Sequence, residues 1–138
     1  MERRSFLGYT AAAGASLMLH PFESFSIPPG SKIKLAQVGT GHRGSGFWGR
    51  ALLDNFGDLV EFVGLSHINP GRVAYAKNIY KTDCPTFASF DEMLQKTKPD
   101  YVIVTTVDAT HDEFIVKALE AGCNVITEKP MTTDEVKC

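Results

Sequence analysis

The arrangement that most constrains this chain is a glycine pattern placed at the end of an apolar run. Ile33 to Val38 is short and mostly apolar, the pattern of a buried parallel strand, and it leads directly into Gly39-Thr40-Gly41-His42-Arg43-Gly44. The G-x-G-x-x-G spacing alone is a weak signal in a chain with 12 glycines. Its position between a strand and a helical stretch is what gives it meaning. There Gly39 allows a tight turn, Gly41 lets a pyrophosphate approach the backbone, and Gly44 lets helix pack closely on strand. Backbone N–H groups and the helix dipole then form a cradle for phosphate.

The rest of the chain keeps alternating. Gly44 to Phe56 places Phe47, Trp48, Ala51, Leu52 and Phe56 on one helical face, and the aromatic residues there are expected in the core. Val60 to Leu65 reads as a second strand. Pro70 suits the first turn of a helix whose apolar positions are Val73, Ala76, Ile79 and Tyr80. Ser89-Phe90-Asp91-Glu92 has the form of a capping box and predicts a short helix through Leu94. Tyr101 to Val104 is another β-rich run. Thr110-His111-Asp112-Glu113 repeats the capping-box form before Phe114, Ile115, Ala118 and Leu119, with Gly122 placed to end that helix. Asn124 to Thr127 is a last strand, followed by Glu128-Lys129-Pro130. Strands alternating with helices predict an α/β fold, a doubly wound parallel sheet of the Rossmann kind with helices on both faces.

At 138 residues the chain has room for about one domain. A net charge of −2 gives no reason to expect nucleic acid or an anionic membrane as partner. Cys84, Cys123 and Cys138 contain no C-x-x-C pair, which argues against a disulfide framework and against a zinc site, so no metal is expected. Cys84 and Cys123 read as small, partly buried side chains. The N-terminus stands apart from the fold. Arg3 and Arg4 precede a weakly apolar run from Gly8 to Leu19 with no acidic residue, the layout of a signal peptide of the twin-arginine type. That run is too short to span a bilayer, and Ser24-Phe25-Ser26 is only a weak cleavage signal. Ile27-Pro28-Pro29-Gly30-Ser31 follows as a linker. Residues 1–31 are therefore read as signal and linker, residues 32–138 as the folded domain, and a periplasmic or exported location is expected.

Four of these motifs together resemble one family. Gly39-Thr40-Gly41-His42-Arg43-Gly44, Asn69-Pro70 after the second strand, Thr110-His111 opening the last helix, and Glu128-Lys129-Pro130 are similar to the glucose–fructose oxidoreductase / inositol dehydrogenase family (Gfo/Idh/MocA). The resemblance covers about Lys32 to Cys138. It implies an NAD- or NADP-binding domain of an oxidoreductase that acts on a sugar or polyol CH–OH group. It places Lys129 at the nicotinamide end in a catalytic role, where an ammonium can stabilise a developing alkoxide or relay a proton. It also places Glu128, Thr105, Thr106 and His111 near the cofactor, at the carboxyl ends of the strands. For His111 an exposed place in the first helical turn is nearly as good a reading.

The resemblance further implies a second α/β domain beyond the E-K-P tripeptide, which supplies most substrate contacts. The Rossmann domain is accordingly expected to be incomplete, inactive alone and homo-oligomeric when full length. Two alternatives stay open: an NAD-dependent glycoside hydrolase of the same family, and a truncated nucleotide-binding module without turnover. One position departs from the pattern. The acid that usually grips the ribose at the end of the second strand is absent, and His67 occupies its place. His67 is therefore expected to discriminate weakly between NAD and NADP, with Arg43 and Arg72 at positions from which a guanidinium can reach a 2′-phosphate.

Overall fold

The computed structural model describes residues 30–137, so the signal reading of the N-terminus and Cys138 lie outside the described residues. Five strands form a single sheet: β1 (Ile33–Val38), β2 (Val60–Ser66), β3 (Thr86–Phe87), β4 (Tyr101–Val104) and β5 (Asn124–Thr127). Their order is β3-β2-β1-β4-β5, and every pairing is parallel. Parallel neighbours cannot be joined by a tight turn, so helices carry the crossovers. These are α1, a π-helical segment Gly44–Ala51 running on into α-helical Leu52–Phe56, then α2 (Pro70–Tyr80), α3 (Phe90–Thr97) and α4 (His111–Glu120). The chain builds outward from β1 through β2 to β3, then returns to lay β4 and β5 on the other side. The order therefore reverses between β1 and β4, and the crevice outside their carboxyl ends is where such sheets take ligands.

Each face of the sheet is buried by its own helices. Ala36 and Val38 of β1, with Val102 and Val104 of β4, meet Phe90, Met93, Leu94, Ile115 and Ala118 of α3 and α4. Leu35 of β1 and Ile103 of β4 point the other way, into Val73, Ala76 and Tyr80 of α2. That is the two-residue period of a strand buried on both sides. In β2 the period breaks. Leu35 pairs with Phe62 but Ala36 pairs with Gly64, so Val63 is the extra residue of a bulge. The bulge puts both Phe62 and Leu65 on the α2 side, although three positions separate them.

Helix ends follow local chemistry. The Asn69 side chain accepts from the Gly71 N–H at 2.9 Å, with Pro70 in the first turn, and Lys81 ends α2 in the left-handed region. Ser89 Oγ accepts from Glu92 N–H at 3.3 Å, as its capping box predicts. The helix it opens continues past Leu94 to Thr97, where the Thr97 hydroxyl donates to Met93 O at 2.7 Å.

Three expectations are corrected. Thr110 makes no side-chain cap; a 3₁₀ turn at Asp108–Thr110 precedes α4, and the Thr110 hydroxyl turns back to Val107 O and Thr106 Oγ1. Phe47 and Phe56 are about half exposed rather than core, because a π-helical ladder winds more residues per turn than the α-helical period assumes. Trp48 and Leu52 are partly buried against the α2-side cluster. Cys84 and Cys123 are buried rather than partly so, and burial raises both thiols above their ordinary range, so neither is primed as a nucleophile.

Candidate functional site

The glycine loop is built to the demands its sequence suggests. Gly39 sits at φ +91°, and a Cβ there would overlap the backbone of Thr105 and Thr106 at the end of β4. A Cβ at Gly44 would overlap Gly39 O, Thr105 Oγ1 and the Gln37 amide. Both glycines therefore allow loop, helix and β4 to meet with no side chain between them. Gly41 differs: a Cβ there would meet nothing within 4 Å, so its outer side is open. Beside it Thr40 is fully buried, and its hydroxyl has no partner among the described residues. A buried hydroxyl without a bond costs about 1–3 kcal/mol, an expense characteristic of a site that binds something.

Beneath the loop lies a buried polar network. Tyr80 Oη donates to Gln37 Oε1 at 2.7 Å and lies 3.2 Å from Gly44 O. Gln37 Nε2 donates to Thr105 Oγ1 at 3.2 Å, and Thr105 Oγ1 donates to Gly39 O at 2.5 Å. Burial lifts the Tyr80 phenol above its usual range, so it stays a neutral donor. Thr105 thus lies at the cleft as predicted, but its hydroxyl holds the loop. The sequence reading places Tyr80 only among apolar helix positions and passes over Gln37; the one available signal is a polar glutamine inside an apolar strand.

Two clefts flank the loop at the carboxyl end of the sheet. On the β2 side, Gly41, Ser66, His67, Ile68, Thr106 and Val107 border a pocket, with Ile68 almost fully exposed at its mouth. His67 Nδ1 accepts from the Asn69 N–H at 2.8 Å, which leaves the proton of the neutral ring on Nε2 as a free donor. Partial burial, and then the nearby Arg72 charge, hold its pKa below the ordinary value, so it is neutral at pH 7. On the β5 side, Arg43, Thr106, Asp108, His111, Glu128 and Lys129 border a second cleft.

Here the tripeptide after β5 is held at both ends. Glu128 Oε1 accepts from Arg43 Nε at 2.5 Å and from Trp48 Nε1 at 2.7 Å. The Arg43 bond, then the Trp48 bond, keep its carboxyl below the usual carboxylate range. The carbonyl of Pro130, after a cis peptide bond, lies 2.7 Å from His111 Nδ1, while His111 Nε2 lies 3.2 Å from Thr106 O. His111 is not an exposed first-turn residue: it is 1% exposed at the edge of the cleft and joins the end of β4 to the loop after β5. Lys129 stands between the two clamps with its side chain exposed at the cleft.

The predicted residues therefore separate into two groups. Thr105, Thr106, His111, Glu128 and Lys129 come together with Arg43, and His67 lies on the other side with Arg72 nearby. Arg43 is thus corrected: its guanidinium is engaged at the β5 side with Glu128 and over the Phe47 ring at 4.5 Å, rather than beside His67. His42 is exposed within the loop. Trp48, expected in the core, packs against the α2-side cluster and also donates to Glu128 in the site.

Comparison with known proteins identifies the family and the fold. The profile of the Gfo/Idh/MocA oxidoreductase family, described by its NAD-binding Rossmann fold, matches residues 33–138. An inositol 2-dehydrogenase of Agrobacterium fabrum is 30% identical over 101 residues, covering 73% of this chain and 30% of that protein. A glycosyl hydrolase family 109 protein of Stenotrophomonas maltophilia is 30% identical, covering 91% of this chain and 29% of its own length. Among solved structures, the WlbA dehydrogenase of Bordetella pertussis, in complex with NADH and UDP-GlcNAcA, superposes with a TM-score of 0.69 at 26% identity, covering 78% of this chain and 32% of that one. The chain spans about a third of the length of each of these relatives.

Proposed function

The chain belongs to the Gfo/Idh/MocA oxidoreductase family through its NAD-binding Rossmann domain, and on that premise we propose that it is the dinucleotide-binding part of an exported dehydrogenase acting on a sugar or polyol CH–OH group. The observation that carries this is the orphaned, buried Thr40 hydroxyl next to the open face of Gly41. Both fit a pyrophosphate at a loop whose N–H groups open a helix. Gly39 to Gly44 would hold the phosphates, His67 the adenosine ribose, and the β5-side cleft the nicotinamide end. A bound nicotinamide supplies or accepts the hydride. The Lys129 ammonium faces that cleft, where it holds a proton at the substrate oxygen and stabilises negative charge developing there. His111 and Glu128 fix the backbone on either side of Lys129, so the ammonium is positioned before substrate arrives.

A second reading, an NAD-dependent glycosidase, has one observation in its favour. The match to the glycosyl hydrolase family 109 protein covers 91% of the chain, more than residues 33–138 can hold, so it runs into the N-terminal segment as well. Product analysis on the protein with its substrate domain separates the two: oxidised sugar supports the dehydrogenase, released aglycone the hydrolase.

The underlying binding is tested by calorimetry with NAD and NADP on this chain and on Gly41→Val. The added side chain enters open space, so the fold survives while the pyrophosphate is blocked, and affinity should fall about tenfold or more, that is by at least 1.4 kcal/mol. Equal affinity in the two proteins, or no binding by wild type, overturns the assignment.

A further inference from the structure

The Arg43–Glu128–Trp48 cluster joins two loops that are 85 residues apart in sequence and that the proposed chemistry treats separately. Arg43 belongs to the glycine loop. Glu128 immediately precedes Lys129. Trp48, the only tryptophan in the chain, donates its indole N–H to the same Glu128 oxygen that takes the Arg43 Nε. The Glu128 side chain is 17% exposed while that of Arg43 is 63% exposed. Arg43 Nε uses one of five guanidinium N–H groups, and none of the others has an acceptor among the described residues. One guanidinium thus binds a carboxylate, lies over the Phe47 ring at 4.5 Å, and is otherwise largely open to solvent.

We propose that Arg43, Glu128 and Trp48 form a positioning relay, in which an anion on the glycine loop competes with Glu128 for the Arg43 guanidinium and so resets the loop that carries Lys129. This rests on the assignment of the glycine loop as a pyrophosphate site. The competition follows from charge: a phosphate near Arg43 offers a better anionic partner than a carboxylate already shared with an indole. When the guanidinium moves toward the phosphate, Glu128 keeps Trp48 and loses its countercharge. Lys129, the next residue, then has a carboxylate beside it that is no longer neutralised. The far side of the tripeptide cannot follow freely, because His111 holds the Pro130 carbonyl. The change is therefore concentrated at Glu128 and Lys129. Trp48 reports it, because excitation of an indole moves electron density away from its N–H ring, and an uncompensated carboxylate there shifts emission to the red.

ADP is the probe, since it brings a pyrophosphate without a nicotinamide that would touch Lys129 or quench Trp48 by energy transfer. Binding is measured by calorimetry, and Trp48 emission is followed over the same titration, for the purified chain and for Glu128→Gln and Arg43→Ala. The wild type should show a saturable red shift with the calorimetric Kd. Because coupling is reciprocal, Glu128→Gln should bind ADP more tightly, by about fivefold, and show no shift. Arg43→Ala should bind ADP more weakly, also without a shift. Amine labelling of Lys129, read by mass spectrometry, should change with ADP in the wild type and not in Glu128→Gln. A merely structural Glu128 would leave ADP affinity unchanged or weaken it, and that result overturns the relay, as does ADP binding with no movement of Trp48 emission. Loss of ADP binding in the wild type removes the pyrophosphate assignment and the relay with it. Arg43 is largely exposed, so its variant decides the matter if Glu128→Gln fails to fold.

Discussion

Gly49→Ala sets helix propensity against packing, and the two predict opposite signs. Gly49 lies in the first, π-helical part of α1, and an alanine in a helix interior is favoured over glycine by about 1 kcal/mol. The new Cβ, however, would fall inside the ring of Tyr80, overlapping Cζ, Cε1 and the hydroxyl. Tyr80 cannot step aside cheaply. Its ring stacks on Phe62 at 5.0 Å and its hydroxyl is tied to Gln37 at 2.7 Å. Overpacking costs about 1–3 kcal/mol, and a displaced hydroxyl that leaves the buried Gln37 carbonyl unpaired costs about 1–3 kcal/mol more. The net expectation is destabilisation by about 3 kcal/mol after the propensity gain is subtracted. At a urea dependence of about 1–3 kcal/mol per molar, the unfolding midpoint should drop by about 1–3 M. Urea titrations followed by far-UV circular dichroism measure this directly. A midpoint that stays put or rises refutes the close approach of α1 and α2. If the approach is right, most of the cost should vanish when Gly49→Ala is made in a Tyr80→Ala background.

His67→Asp should raise the NAD-to-NADP affinity ratio by tenfold or more, because like charges 4 Å apart repel by about 4 kcal/mol at an effective dielectric of 20; an unchanged ratio by calorimetry removes His67 from the ribose site. The lowered pKa of His67 means the unfolded chain takes up its proton first, so its contribution to stability is complete above the ordinary value near 6.5 and is lost as pH falls through the folded value. Urea midpoints from about pH 7.5 to 5 should accordingly decline less steeply in His67→Gln. In the protein with its substrate domain, Lys129→Met should lower kcat about 10²–10⁴-fold while NAD affinity stays within about twofold, and turnover near wild type would exclude its proton role. Replacing Arg3 and Arg4 by Lys should retain the protein in the cytoplasm, with cell fractionation as the readout and undiminished export as the contrary result.

The elements were legible in the chain because their causes are local. Short apolar runs in β1 and β4, Pro70 behind Asn69, the Ser89 cap and Gly39 at a turn each reflect forces acting within a few residues, and the parallel Rossmann sheet follows from their order. Where a second local preference competed, the expectation failed. Thr110 has the residues of a capping box, yet its hydroxyl finds Val107 O and Thr106 Oγ1 first, and a 3₁₀ turn takes the place of the cap. The helical face assigned to Phe47 and Phe56 assumed a period that the π-helical turn does not keep.

The site divides along the same line. The sequence alone determined which loops hold it, since G-x-G-x-x-G and E-K-P name their own positions, and it marked His67 as the departure in the ribose position. It was silent on the contacts between those loops. That His111 reaches the Pro130 carbonyl, that Gln37 and Tyr80 brace the glycine loop from beneath, and that Arg43 turns toward Glu128 instead of His67 all depend on residues 19 to 85 positions apart. A side chain's partner across such distances is set by strand order, by the bulge at Val63 and by which face each helix buries. Only the folded sheet supplies these, because bringing β1, β4 and β5 side by side is what puts the loops within hydrogen-bond reach of one another.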